Sequence, residues 1–354
     1  MTHPKPTIAF NILNGAATQL PQLHQLSDAG AGQDLMHLTP TRDSELIANG
    51  SALTPFPSPP QPTPLTAKGL LDNGGISPAV LTRGMLNRLH QAGHNIEFRS
   101  YNFQVQCPQP GSSDWFADCQ HHGGLEADCG DLIQQRLLPD LTAQAERGCI
   151  SILAECGVGG TTFSTLWLRL LTGLTLSPAG STKDADKLAQ KARLLAQLEQ
   201  EYRRAHAQFD VEALLASPQF HDQIQRALYG LLCHWPASLP VPHLAGGMMF
   251  VAPLIAAARV RPDLRGRVDT TRWVVAADGQ SVLSHLPADW RLGLHQTDFG
   301  LSDFDCLNRY EQGLVVEGCG LGGVLVLAEE LGLDANDIIT TLEQACTRHQ
   351  SQFQ

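Results

Sequence analysis

Apolar runs of strand length alternate with stretches of helical period along this chain. Thr7 to Leu13, Cys149 to Ala154 and Thr271 to Ala276 read as strands, because short, mostly apolar runs are what a parallel sheet covered on both faces requires, and Asn95 to Tyr101 reads as a further strand. Helical patterns are predicted near Asp43 to Ala48, over Ala79 to Ala92, Leu132 to Gln144 and Phe163 to Leu174, and again from Val324 to Gly332. Ser77 is placed as the cap of the second of these, and Pro78 as its first residue. Lys183 to Phe209 is polar and helical, Val211 to Cys233 adds further helices, and an apolar helix runs to Val260. Asp334 to Arg348 is a last amphipathic helix whose cap is Asp334 or Asn336. Between them, the proline-dense stretch Pro55 to Pro64 excludes a regular element, and residues 107–130 read as a loop rich in glycine, histidine and acids.

Alternation of strand and helix predicts an α/β fold: a doubly wound, mostly parallel sheet with flanking helices and a small helical subdomain from the chain ends. Residues 1–64 are expected to form an N-terminal segment with the proline-rich connector. Residues 65–332 form the α/β domain, and 333–354 a C-terminal helix packed on it. The 354 residues are 43% apolar and carry a formal net charge of −11, which opposes non-specific nucleic-acid binding. No run of 18 apolar residues is present, and Met1 to Pro6 lacks the pattern of a secretion signal. Nine cysteines of irregular spacing predict reduced thiols and a cytoplasmic protein. Apolar helices such as 248–258 make a homodimer the expected assembly.

The candidate chemistry lies in glycine turns. Ala154-Glu155-Cys156-Gly157-Val158-Gly159-Gly160-Thr161-Thr162 joins a strand to a helix, a geometry that aims backbone N–H groups at an anion. It lacks the Gly-Lys-Ser/Thr of a Walker loop and the G-x-G-x-x-G spacing of a dinucleotide site. Glu155 would repel a phosphate and so suits a sugar hydroxyl. A second carboxylate, Glu317, sits between Val315-Val316 and the glycines 318, 320, 322 and 323. Partial desolvation there raises its pKa and fits it to accept a proton near neutrality. Further glycine turns occur at Gly74-Gly75 and Gly246-Gly247, and several such turns at one sheet edge indicate a ligand crevice. Cys119, His121, His122 and Cys129 lack the spacing of a zinc ribbon or finger and read as solvated loop residues. No Gly-x-Ser-x-Gly elbow is present.

These segments together resemble the nicotinate-nucleotide:dimethylbenzimidazole phosphoribosyltransferases, in the divergent archaeal and cyanobacterial-type branch. The resemblance is carried, in order, by Gly75-Ile76-Ser77-Pro78-Ala79-Val80, Glu155-Cys156 with Gly159-Gly160-Thr161-Thr162, Leu244-Ala245-Gly246-Gly247, and Tyr310-Glu311-Gln312-Gly313 through Glu317-Gly318-Cys319-Gly320-Leu321-Gly322-Gly323. It implies transfer of the phosphoribosyl group of nicotinate mononucleotide to a benzimidazole nitrogen, giving α-ribazole phosphate and nicotinate for the lower ligand of cobamides. It implies that Glu317 takes the azole proton and that Glu155 lies near the ribose and the departing nicotinate. By the same resemblance Gly157, Gly159, Gly160, Thr161, Thr162, Lys191, Gly246, Gly247, Gly318 and Gly320 serve the phosphate and ribose, and Gly75, Ser77 and Pro78 the base. No metal and no cofactor are implied. The chain departs from the pattern at Gly160, where the family has Asn, and at Val316, where it has Lys. In place of Gly-Asp-Pro-Met-Gln only Ser217-Pro218-Gln219-Phe220 and Asp222-Gln223 occur. A related transferase with another aromatic acceptor or an α-riboside donor, and a nucleotide-binding homologue without turnover, are the alternatives.

Overall fold

A computed structural model describes residues 5–20, 22–30, 35–57, 61–111, 115–176 and 182–354. Parts of the expected N-terminal start and of the proline-dense connector (residues 1–4 and 58–60) lie outside the described residues.

Seven strands form one sheet: β1 Ile8–Ala16, β2 Ile96–Phe103, β3 Asp118–Gly124, β4 Ile150–Val158, β5 His243–Ala245, β6 Gly266–Thr270 and β7 Trp290–Leu294. Their order is β3-β2-β1-β4-β5-β6-β7. All six pairings are parallel, so the sheet is wholly rather than mostly parallel. The order reverses direction between β1 and β4, which opens a crevice at the carboxyl ends of these two strands. The helices used below are α1 Thr39–Asn49, α2 Pro78–Gln91, α3 Leu138–Glu146, α4 Gly160–Thr172, α5 Ala185–Ala205, α6 Gln223–His234, α7 Val251–Val260, α8 Leu321–Glu330 and α9 Ala335–Gln350.

Strand alternation divides the core. Ile8, Phe10 and Ile12 of β1, with Ile152 and Ala154 of β4, pack among α1, α2, α8 and α9. Leu13 and Leu153 face the opposite side, beneath α3, α6 and α7. On that side Asn11 and Gln144 are fully buried and exchange amide hydrogen bonds of 2.9 and 3.0 Å, so neither polar group is left unpaired. A satellite core forms where Phe163, Trp167 and Leu171 of α4 meet Leu195, Leu198 and Tyr202 of α5. Among the described residues no helix is long and apolar enough to cross a membrane, and all nine cysteines are free thiols.

Several expectations change. β1, which precedes the proline-dense connector, is a central strand of the sheet. Thr271 to Ala276 is not a strand: the strand is Gly266–Thr270, and the chain turns helical at Arg272. Its apolar side chains instead feed two cores, Trp273 stacking edge-on against Phe299 at 4.7 Å and Val274 joining the α4 cluster. The real strand hid because it carries Arg267 and Asp269, paired at 2.7 Å with the carboxylate almost fully buried. The loop expected over residues 107–130 contains β3, and β7 was not anticipated. Both are the outer strands of the sheet.

Helix α8 approaches the sheet closely because its start is glycine. A Cβ on Gly323 would lie 2.3 Å from Ala245 Cβ, and one on Gly320, at φ +68°, would lie 2.6 Å from Ala154 Cβ. Gly323→Ala and Gly320→Ala are each expected to destabilise the protein by about 1–3 kcal/mol, measured by urea unfolding, whereas Gly332→Ala, in open space, costs only its backbone strain.

Candidate functional site

β4 carries the first carboxylate out of the sheet at the switch point. Because successive side chains alternate, Glu155 projects to the α6 side and Cys156 to the α1 side. Glu155 is buried, with 7% exposure. It accepts a long hydrogen bond of 3.4 Å from the Gly247 N–H, and a Cβ on Gly246 would lie 2.8 Å from its Cγ. The Gly246-Gly247 turn therefore has to be glycine first to admit this side chain. Burial raises the Glu155 pKa to about 7, Gly247 and Gly157 N–H groups oppose the rise, and Asp222 adds to it.

The second carboxylate arrives from the other end of the chain. Cys319 N–H donates to the Glu155 carbonyl at 3.1 Å, which ties the loop before α8 to β4. Glu317 then accepts N–H bonds from Gly318 at 3.1 Å, Gly322 at 3.1 Å and Thr271 at 3.1 Å. The Gly322 N–H also reaches the second oxygen at 3.2 Å, so both carboxylate oxygens are held by backbone donors. Burial nevertheless lifts the Glu317 pKa to about 8, and the charge of Glu155 contributes to the same direction. Gly247 lies between the two: its Cβ position is 3.7 Å from Glu317 Cγ. Both carboxylates thus flank one glycine turn at the sheet's carboxyl edge.

The glycine turn after β4 holds the third part. Gly159, at φ +82°, caps α4 in the left-handed region. Lys191, on the buried face of α5, is 1% exposed and donates from Nζ to Thr161 Oγ1 at 2.7 Å. Gly157 and Gly160 leave room for Met249, whose Cε would lie 2.4 and 2.3 Å from a Cβ at those positions. Thr162 Oγ1 is buried with no hydrogen-bond partner.

The expected base-binding loop adjoins these groups. Ser77 accepts the Ala79 N–H at 3.2 Å as cap of α2 and donates to Asp43 Oδ1 at 3.1 Å. Gly75 packs on Val315, and Pro78 lies 3.3 Å from the Cβ position of Gly318. Asn73 Nδ2 bonds Leu314 O at 2.9 Å, so the loops on either side of the crevice are stitched together.

Two residues of the site carried no mark as such in the sequence. Asp222 caps α6 through a reciprocal capping box with Gln225, and its Oδ2 is buried without a partner beside Gly160. Burial raises its pKa to about 6. The Asp-Gln pair followed by an amphipathic helix was the available signal. Asp43, on α1, binds Ser77 and is held by burial above the usual carboxylate range. The Cys119, His121, His122 and Cys129 group does not converge. His121 bonds Ser100 Oγ at 2.8 Å on one face of β3, His122 reaches Asp140 at 3.5 Å on the other, and Cys129 lies in a different core.

Asp222 generates a pH dependence. Its folded pKa lies above the ordinary aspartate value, so its protonated form favours folding. That contribution is full below about pH 4 and is lost as pH rises through about 6. Asp222→Asn, which keeps a capping side chain, is expected to remove about 1–3 kcal/mol of the stability difference between those pH values, read from urea unfolding across the range. An unchanged profile would show that Asp222 is ordinarily solvated.

No family model matches the chain. It is 30% identical over 348 residues to a UPF0284 protein of Microcystis aeruginosa, with 92% of this chain and 88% of that one covered. It is 26% identical over 351 residues to a UPF0284 protein of Gloeobacter violaceus, covering 92% and 84%. An archaeal relative, a UPF0284 protein of Pyrococcus furiosus, is 25% identical over 347 residues, covering 92% and 95%. With that identity sustained across nearly the full length of both chains, this protein belongs to the UPF0284 family.

Proposed function

We propose that the protein transfers the phosphoribosyl group of nicotinate mononucleotide to an aromatic azole base of the dimethylbenzimidazole type. The observation that carries the reading is the meeting of Glu155 and Glu317 on either side of Gly247, with Lys191 and Thr161 at the neighbouring glycine turn. This arrangement supports a site for a sugar phosphate at one end and a flat heterocycle at the other. The motif resemblance supports the identity of the two substrates.

The chemistry makes one main demand. As the C1′–N bond to nicotinate breaks, its electron pair neutralises the pyridinium nitrogen, so the leaving group needs no acid. The azole nitrogen forms the new bond to C1′ and its N–H proton has to leave. Glu317 receives it on a carboxylate oxygen. The backbone N–H groups of Gly318, Gly322 and Thr271 fix the carboxylate in place before the base arrives. Glu155 stands on the ribose side. Lys191, held on Thr161, supplies the cation that the donor's phosphate needs, and the start of α4 adds its positive dipole end. Holding both substrates together supplies much of the remaining acceleration.

Incubation with nicotinate mononucleotide and a panel of azole bases is expected to give riboside phosphates by mass detection, with release of nicotinate. Absence of product with every base would sink the reading. Product from a different acceptor only would move it to the related transferase. Glu317→Gln is expected to cut turnover by about 10²–10⁴-fold while leaving donor affinity within a few-fold, measured by steady-state kinetics and calorimetry. Lys191→Met is expected to weaken donor binding by about ten- to a hundredfold, the loss of one charge-assisted hydrogen bond.

A further inference from the structure

Behind the crevice, on the α1 face of the sheet, two thiols meet one carboxylate oxygen. Cys156 Sγ donates to Asp43 Oδ2 at 3.5 Å, and Cys319 Sγ donates to the same oxygen at 3.7 Å. All three ligand atoms lie within 4.8 Å of one another, and among the described residues no other group of three metal-ligating side chains converges so. An ion bound tetrahedrally, with metal–sulfur bonds of about 2.3 Å and a metal–oxygen bond of about 2.0 Å, holds sulfur and oxygen about 3.5 Å apart and two sulfurs about 3.8 Å apart. The two observed sulfur–oxygen separations match the corresponding edges of such a tetrahedron, and the sulfurs lie within 4.8 Å of each other.

We propose that Asp43, Cys156 and Cys319 bind a thiophilic divalent cation of the zinc class. Thiolates select zinc, cobalt(II) or iron(II) over magnesium and calcium. On binding, two S–H bonds give way to two sulfur–metal bonds and two protons leave to solvent. Three protein ligands leave the fourth position open to water or a substrate nitrogen. The surroundings are built for the ligands. Ser77 donates to Asp43 Oδ1 at 3.1 Å, which orients the carboxylate and leaves Oδ2 for the ion. Cys319 adopts φ 54° between two glycines, a strained left-handed conformation that a third glycine would relieve. That strain aims its thiol at Asp43. The ligands come from α1, β4 and the loop before α8, separated from Asp43 by 113 and 276 residues, so no spacing motif announces them.

The site does not depend on the transferase reading, and its test does not measure turnover. The full chain, reduced under anaerobic conditions, is titrated with cobalt(II). The expected result is one cobalt per chain, intense visible bands of a tetrahedral ion, a thiolate charge-transfer band in the near ultraviolet, and displacement by zinc. X-ray absorption at the cobalt edge of the unmodified protein is expected to count two sulfur neighbours, which requires no variant to fold. Cys156→Ser and Cys319→Ser are expected to weaken binding at least tenfold, and Cys129→Ser and Cys233→Ser to leave it unchanged. No thiolate band, none or four sulfurs in the first shell, or recovery of Cys156 and Cys319 as a disulfide with each other after reduction would overturn the proposal.

Discussion

The contact on which the site depends is the seating of α8 against β4 and β5. Gly320 and Gly323 let the helix backbone come within side-chain contact distance of Ala154 and Ala245. A larger residue at either position would push the preceding loop off the sheet edge. With the loop would go the Cys319 N–H bond to the Glu155 carbonyl, the cradle of N–H groups around Glu317, and the contact of Gly318 with Pro78. What matters here is how small these residues are. They set a distance, and that distance brings two remote carboxylates to one glycine turn.

The electrostatics follow from the same closeness. Glu155, Glu317 and Asp222 are crowded into a low-dielectric place, and burial raises all three pKa values. A chain of net charge −11 would otherwise present an anionic ligand with further negative charge. Proton uptake by buried acids softens that repulsion, while Lys191 and the start of α4 provide local attraction. The alternation of β4 separates functions by face. Glu155 points to the crevice, and the next residue, Cys156, points to Asp43 on the opposite side.

The central strands β1 and β4 were legible in the sequence because both their faces are covered, so each is a mostly apolar run, whereas in β2 Glu97, Arg99, Ser100 and Asn102 interrupt the apolar residues. The outer strands were not legible. β3 reads Asp-Cys-Gln-His-His-Gly-Gly and β7 is partly exposed, and neither carries the pattern that burial imposes. β6 was displaced by a few residues because a buried Arg–Asp pair replaced the apolar alternation, while the neighbouring Trp273 run served tertiary packing instead. In the site, glycine turns and the two glutamates were visible because backbone approach demands unusual residues. Asp43 and Asp222 were invisible as site members, since each looks like an ordinary helix residue or cap until the fold supplies its neighbours. The same holds for Cys156 and Cys319, whose pairing depends on sheet register and the turn before α8, neither of which local spacing encodes.

The separation of 276 residues between Asp43 and Cys319 has a consequence for biosynthesis. On the ribosome, every strand of the sheet emerges before Glu317 does. A nascent chain therefore lacks one of the two buried carboxylates that flank Gly247 until all seven strands have been made, with the exit tunnel delaying it further. A fragment truncated ahead of that segment would retain the sheet strands and the glycine turn after β4, yet lack Glu317 beside Gly247. Assembly of the two-carboxylate turn thereby waits for the whole sheet to be synthesised.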